Sequence, residues 1–234
     1  MCAVSAYRPR FGRRSCDHLG MSSAGTPWWI RGLRIAFAVL AIVALVWIPI
    51  RSIDDPYYSM TNFFSYFTIE ANILGVIVLL VGGLRDPAGR GWQALRGAAT
   101  LYLLITGIVY AVLLADVDVM LTDRWINIVL HRLIPIVIVA DWLLIASGLR
   151  LSARLIGGWL VFPFVYGVYT LIRGPIVDWY PYPFIDPRNQ GYGKLTIGLI
   201  VMFALFALLA ALVAAMSGAV PRLIGRGESR SPAS

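Results

Sequence analysis

The chain has 234 residues, 59% of them hydrophobic and 14% charged, with a formal net charge of +8. A soluble domain carries about 45–50% apolar and about 25% charged residues, and the excess here is more than one water-soluble core can hide. Composition therefore excludes a soluble domain, a disordered chain and a disulfide-stapled secreted module, and predicts an all-α polytopic membrane protein.

The chain opens on a polar, Arg- and Gly-rich tail (1–30) in which Met21 is a candidate alternative start. Cys2 and Cys16 both lie in it, so a bridge between them would constrain nothing in the membrane. Six apolar runs follow, at about 32–50, 62–81, 97–115, 125–147, 155–172 and 194–216. Each is close to the ~20 residues that cross roughly 30 Å of hydrocarbon. Helices are expected, because open strands leave their backbone unsatisfied in lipid and no alternating barrel pattern is present. The first run is longer than the apolar core of a signal peptide and no small-x-small cleavage pattern follows it, so it reads as a retained anchor. The membrane domain is expected over 31–217, with a short polar tail at 218–234.

The cations report topology. Arg8, Arg10, Arg13, Arg14, Arg31 and Arg34, then Arg85, Arg90 and Arg96, Arg150 and Arg154, and finally Arg222, Arg226 and Arg230 all fall on one side, with only Asp17, Asp86 and Glu228 opposing them. The other side holds Arg51, Arg124, Arg173, Arg188 and Lys194, outnumbered by Asp54, Asp55, Asp116, Asp118, Asp123, Asp178 and Asp186. The positive-inside rule then places both termini in the cytoplasm, and an even number of spans agrees in putting them on one side. Cations scattered between apolar runs are not a nucleic-acid face, so no nucleic-acid partner is expected.

Ionisable groups inside the spans are few: Glu70 in the second, and His131, Arg132 and Asp141 in the fourth. Such groups are costly in lipid and turn towards a bundle interior or cavity. Thr61, Ser65, Thr68 and Asn72 recur at helical spacing and form one stripe. Glu70 falls opposite it, and Arg132 is its expected partner. In the fourth span Asn127, His131 and Asp141 share a face. The ordinary role of such stripes is hydrogen-bonded helix–helix contact. Depth adds a second reading, since Thr68 and His131 each lie about six residues, or ~9 Å, in from the same membrane edge. Asp141 is ~15 Å further along by helical rise, so a Thr–His dyad is expected and a triad is not.

The last outer loop, Arg173-Gly-Pro-Ile followed by VDWYPYPFID, carries Pro175, Pro181, Pro183 and Pro187 and is expected to be extended rather than helical. Its aromatics Trp179, Tyr180, Tyr182 and Phe184 suit the interfacial belt or a roof over the polar pocket. Trp159, Phe162, Tyr166 and Tyr169 in the fifth span read as packing. With two histidines in all, His18 and His131, no metal-ligand set is spaced for coordination, and no phosphate loop, dinucleotide fingerprint or haem motif occurs, so no cofactor is expected.

Three segments, NFFSYFTIEAN (62–72), NIVLHRLIPIVIVADW (127–142) and WYPYPF (179–184), resemble the androgen-induced-gene and androgen-dependent-regulator family, and most closely its bacterial six-span branch. The resemblance implies a bacterial plasma-membrane protein. In the animal members an intramembrane threonine and histidine hydrolyse fatty-acid esters of hydroxy fatty acids. Carried over, Thr68 is the nucleophile, matched by its Phe-Thr-Ile context, and His131 the general base, matched by Pro135 and Asp141 downstream. Glu70 stands where a glutamine is expected in bacterial relatives.

The expected function is thus an intramembrane hydrolase of lipid esters, acting on lipid-like substrates among membrane lipids. Ser65, Asn72, Asn127, Arg173, Tyr182 and Phe184 are expected to line the substrate site, with Asn127 or Asn72 donating to the oxyanion. The alternatives are a non-enzymatic amphiphile binder or transporter using the same pocket, and a structural partner subunit acting through helix contacts. The absence of an internal repeat speaks against transport, and no filter-like loop suggests a channel.

Overall fold

A computed structural model describes residues 25–114, 123–145 and 147–216. Most of the two tails, with Cys2, Cys16, His18, Met21 and the arginines at either extremity, lies outside the described residues, as do Asp116 and Asp118. Among the described residues there are helices and no strand. They are α1 (Trp28–Ser52), α2 (Met60–Phe64), α3 (Phe67–Leu84), α4 (Arg90–Val109), α5 (Arg124–Ile128), α6 (Ile134–Leu144), α7 (Ala153–Val177) and α8 (Pro187–Met216). A π-helical turn, Tyr110–Leu114, extends α4, and another, Val129–Leu133, joins α5 to α6.

Six helical segments among the described residues are long and apolar enough to cross a membrane: Trp28–Ser52, Phe67–Leu84, Arg90–Leu114, Arg124–Leu144, Ala153–Val177 and Pro187–Met216. This is a multi-pass membrane bundle. The α4 segment is 61% buried and those of α1, α7 and α8 only 22%, so α3, α4 and α6 form the centre. Val39, Val43, Ile172, Ile176, Ile197 and Ile200 point outwards, where lipid is the matching solvent.

Close packing in lipid relies on small residues. On α1, Ala38, Ala41 and Ala44 are fully buried. The α1 helix packs on α3, where a Cβ on Gly83 would lie 2.6 Å from Ile35 Cγ1 and 2.9 Å from the Arg31 carbonyl. Gly97 on α4 makes room for Trp159 in the same way, since a Cβ there would run into that indole.

Contacts between helix ends fix the alternation of direction. Arg31 at the start of α1 donates to the Gly83 and Leu84 carbonyls at the end of α3 (2.8 and 2.7 Å), capping two acceptors that the helix leaves free. The Trp142 indole donates to the Val213 carbonyl at 2.7 Å, and the Trp159 indole to the Ala94 carbonyl at 2.8 Å. These contacts define a proximal end, where α1, α4 and α7 begin. At the distal end Arg51 pairs with Asp123, tying the close of α1 to the start of α5.

The proximal end holds a buried ion cluster. Asp141 receives Arg34 Nε at 2.6 Å and Arg96 Nη2 at 3.0 Å, joining α1, α4 and α6. Arg34 also reaches Asp86 at 3.2 Å, and Arg96 donates to Gln93 at 2.6 Å. Asp86 in turn accepts from the Thr26 amide and hydroxyl, both at 2.8 Å.

Three expectations about the elements are corrected. The second apolar run is not one helix but is interrupted at Ser65 and Tyr66. There the Ser65 hydroxyl bonds the Thr61 carbonyl at 2.7 Å, its amide closes onto Asn62, and Tyr66 turns extended (φ −82°, ψ 127°). Serine side chains compete with the helix ladder in this way. Second, the segment from Arg173 is helical to Val177 despite Pro175, because membrane helices tolerate proline. The helix stops at Asp178, whose left-handed backbone (φ 51°) closes it as its N–H donates a hydrogen bond to the Gly174 carbonyl. Third, α8 starts at Pro187, seven residues before the apolar run, and bends at Gly191, where φ is 77°.

Candidate functional site

The interruption of the second span places a helix N-terminus inside the bundle. Phe67 and Thr68 open α3, and their amides have no acceptor within the helix. Two tyrosine hydroxyls take them: Tyr166 of α7 accepts from Phe67 N at 3.2 Å, and Tyr182 accepts from Thr68 N at 3.3 Å. Tyr166 passes its own proton to the Ser65 carbonyl at 2.9 Å, and Tyr169 lies 3.0 Å from the Ser65 hydroxyl. Sequence reasoning assigned the fifth-span aromatics to packing. The signal was tyrosine rather than phenylalanine at two positions of an otherwise apolar helix.

A second irregularity carries the histidine. Pro135 has no amide for the His131 carbonyl one turn back, and its ring crowds that carbonyl. The chain widens here into a π turn, in which the Ile134 amide reaches back to Val129. Gly107 of α4 leaves space for this turn, its Cβ position lying 3.3 Å from Pro135 Cβ and 3.5 Å from the His131 carbonyl. Single π turns of this kind are common at functional sites.

The structure brings Thr68 and His131 together. Thr68 Oγ lies 3.3 Å from His131 Nε2, and both side chains are buried. The Tyr182 hydroxyl is 3.4 Å from the same Oγ. The imidazole lies against Tyr110, with ring centroids 4.4 Å apart. Among the described residues its buried Nδ1 makes no hydrogen bond. Asp141 is committed to the arginines at the proximal end, and among the described residues no carboxylate bonds the imidazole.

The other expected site residues sort by distance from this pair. Asn72 donates to the Thr68 carbonyl at 2.8 Å and the Leu130 carbonyl at 3.1 Å, while Asn127 donates to the Tyr110 hydroxyl at 2.9 Å. Both amide protons of Asn72 and one of the two on Asn127 are thus engaged with other groups. Ser65 supports the break before α3, as described. Arg173 donates to Asn62 Oδ1 at 2.6 Å and covers the Trp179 ring at 5.3 Å, near the mouth of the site. Phe184 stacks on Tyr182 at 5.2 Å.

The expected Glu70–Arg132 pair does not form. Arg132 lies over Tyr110 at 5.8 Å, and Glu70 Oε2 is buried without a hydrogen bond. Glu70 is two residues on from Thr68, about 200° around α3, so it turns away from the histidine helix.

Two cavities meet at Thr68. One, of about 580 Å³, is lined by apolar side chains of α4, α7 and α8. Its lining residues Phe164, Val168, Ile200 and Phe203 are also exposed on the outer surface, so this cavity reaches the lipid-facing side between α7 and α8. The other, of about 350 Å³, is a distal vestibule walled by Asp55, Ser59, Asn62, Tyr66, His131 and Trp179 among others. Thr68, Leu114 and Tyr182 line both. Among the described residues no group of histidine, cysteine and carboxylate side chains is placed to hold a metal ion.

Comparison of the chain with protein-family models, with curated proteins and with solved structures finds no match.

Proposed function

We propose that the protein is an intramembrane hydrolase of lipid esters, with Thr68 as nucleophile and His131 as general base. The observation that carries this reading is the 3.3 Å approach of Thr68 Oγ to His131 Nε2 at the junction of an apolar and a polar cavity. A threonine hydroxyl is a weak nucleophile until an adjacent base takes its proton, and an imidazole accepting on Nε2 is such a base. The acyl chain enters the apolar cavity from lipid, and the vestibule admits water and the alcohol portion.

In the first half-reaction the Thr68 oxygen bonds the ester carbonyl carbon as its proton passes to His131. The C–O bond to the alcohol then breaks, and His131 returns the proton to the departing oxygen. In the second half, water from the vestibule gives a proton to His131 and attacks the acyl-threonine, releasing the fatty acid and restoring the hydroxyl. The resemblance of residues 62–72, 127–142 and 179–184 to the androgen-induced-gene family supports the same pair. With that resemblance, the arginine bias supports a bacterial plasma-membrane location with both termini cytoplasmic and the vestibule facing outwards.

Purified protein in detergent micelles should hydrolyse p-nitrophenyl palmitate, and Thr68→Ala should abolish the turnover. His131→Ala should lower it by about 10²–10⁴-fold, the range for loss of a general base. Wild-type turnover in both variants would refute the reading. The apolar cavity favours one alternative, a carrier or sensor of amphiphiles, which would bind palmitate saturably and release no p-nitrophenol.

A further inference from the structure

A hydrolase that attacks an ester must stabilise the negative charge that develops on the carbonyl oxygen, and this is commonly the largest single contribution to the rate. Asn72 spends both amide protons on the Thr68 and Leu130 carbonyls, and Asn127, which gives one of its two to the Tyr110 hydroxyl, lines neither cavity. His131 Nε2 faces the hydroxyl and serves as its base. The remaining hydroxyl beside Thr68 Oγ is that of Tyr182, at 3.4 Å.

We infer that Tyr182 is a catalytic residue of the proposed hydrolase, donating its hydroxyl proton in a hydrogen bond to the oxyanion formed when Thr68 attacks an ester. This inference rests on the hydrolase reading and adds the electrophilic half of the site. Three independent features support it. Tyr182 lines both cavities, so its hydroxyl borders the place where an ester carbonyl must lie for Thr68 to reach it. The ring is held on two sides, stacked on Phe184 with an interplanar angle of 6° and edge-on to Tyr66 at 5.8 Å, so the hydroxyl is fixed before substrate arrives. Burial pushes the phenol up to about 12, which keeps the proton in place at neutral pH.

The partner of Tyr182 in this role is the main chain. The hydroxyl oxygen accepts from the Thr68 amide at the positive end of α3, which polarises the O–H and strengthens it as a donor. During attack the Thr68 oxygen loses its proton to His131 and bonds the carbonyl carbon. The carbonyl π-electron pair moves onto oxygen, and the Tyr182 O–H turns from Thr68 Oγ to that oxygen without giving up its proton. When the C–O bond to the alcohol breaks, the carbonyl re-forms and the hydrogen bond relaxes to its resting partner.

The test uses the full chain in detergent with p-nitrophenyl palmitate as substrate, palmityl trifluoromethyl ketone as the probe that forms a hemiketal oxyanion on Thr68, and hexadecanol as its uncharged counterpart. Tyr182→Phe keeps the ring and its stacking. It should lower kcat on the order of a hundredfold, as loss of one oxyanion donor does, with little change in KM. Its affinity for the ketone should fall by a similar factor while hexadecanol binds as before. Tyr166→Phe removes the neighbouring tyrosine cap from the same helix start and should keep the wild-type preference for ketone over alcohol. The inference is overturned if Tyr182→Phe binds the ketone as tightly as wild type while Thr68→Ala does not. If Thr68→Ala itself turns over the ester at the wild-type rate, the hydrolase reading fails and this inference falls with it.

Discussion

Asn72 ties the threonine helix to the histidine turn: its single amide group donates both to the carbonyl of Thr68, one turn before it on α3, and to the carbonyl of Leu130, the neighbour of His131. Side-chain hydrogen bonds between membrane helices are worth about 0.6 kcal/mol each on average. Asn72→Ala should therefore lower stability by only about 1 kcal/mol. Its effect on turnover should be larger, because a misplacement of about 1 Å between reacting groups can cost a hundredfold in rate. Ester hydrolysis at saturating substrate, measured beside a thermal melt in detergent, separates the two effects.

Asp141 offers the opposite pattern. It neutralises Arg34 and Arg96, both nearly inaccessible to solvent, and lies ~15 Å along the helix from His131. Asp141→Asn leaves two buried guanidinium groups without their shared carboxylate and should cost roughly 3–5 kcal/mol of stability. Hydrolysis per folded molecule should stay at the wild-type level. A melting curve and an active-site titration on the same sample check both halves.

Gly167 lines the apolar cavity, and a Cβ added there would have no neighbour within 4 Å. Gly167→Phe has room at its Cβ and should fill part of the acyl space. Hydrolysis of p-nitrophenyl palmitate should fall by about tenfold or more, on the scale of lost methylene contacts. Hydrolysis of p-nitrophenyl butyrate should be little changed, and the ratio of the two rates is the measurement.

Asp86 predicts an acid limit to stability at the proximal end. Burial works against its charge, but the Thr26 amide and hydroxyl and the Arg34 guanidinium outweigh that and hold its carboxyl below the ordinary carboxylate range. The folded state thus binds the Asp86 proton less readily than the unfolded state. Its stabilisation is complete above the unfolded value of about 3.9 and is lost as pH falls through the lower folded value. Melting temperature against pH should drop less steeply below about pH 4 in Asp86→Asn than in wild type. The difference between the two curves isolates Asp86 from Asp123, whose bonds to Arg51 and Trp47 depress its carboxyl in the same direction.

The number and placement of the membrane helices were legible from hydropathy, because lipid imposes one length and one solvent on every span. The facing of Thr68 and His131 followed from two polar stripes at equal depth. What escaped is local. A serine bonding its own turn breaks the second span at Ser65, and a proline acting on the carbonyl one turn before it opens the π turn at His131. Both are competitions between a few hydrogen bonds that periodicity does not register. The caps supplied by Tyr166 and Tyr182 come from about one hundred residues away, and only the assembled bundle brings them to the start of α3. Charge alone pairs Glu70 with Arg132 in the sequence. The break at Tyr66 and the direction of the Glu70 side chain separate them.

The most direct measurement is the site of covalent capture by a long-chain fluorophosphonate, read by mass spectrometry of the purified full chain. The account predicts a single phosphonylated peptide modified at Thr68, no adduct in Thr68→Ala, and strongly slowed capture in His131→Ala. Labelling at another residue, or undiminished labelling when both Thr68 and His131 are replaced, would contradict it.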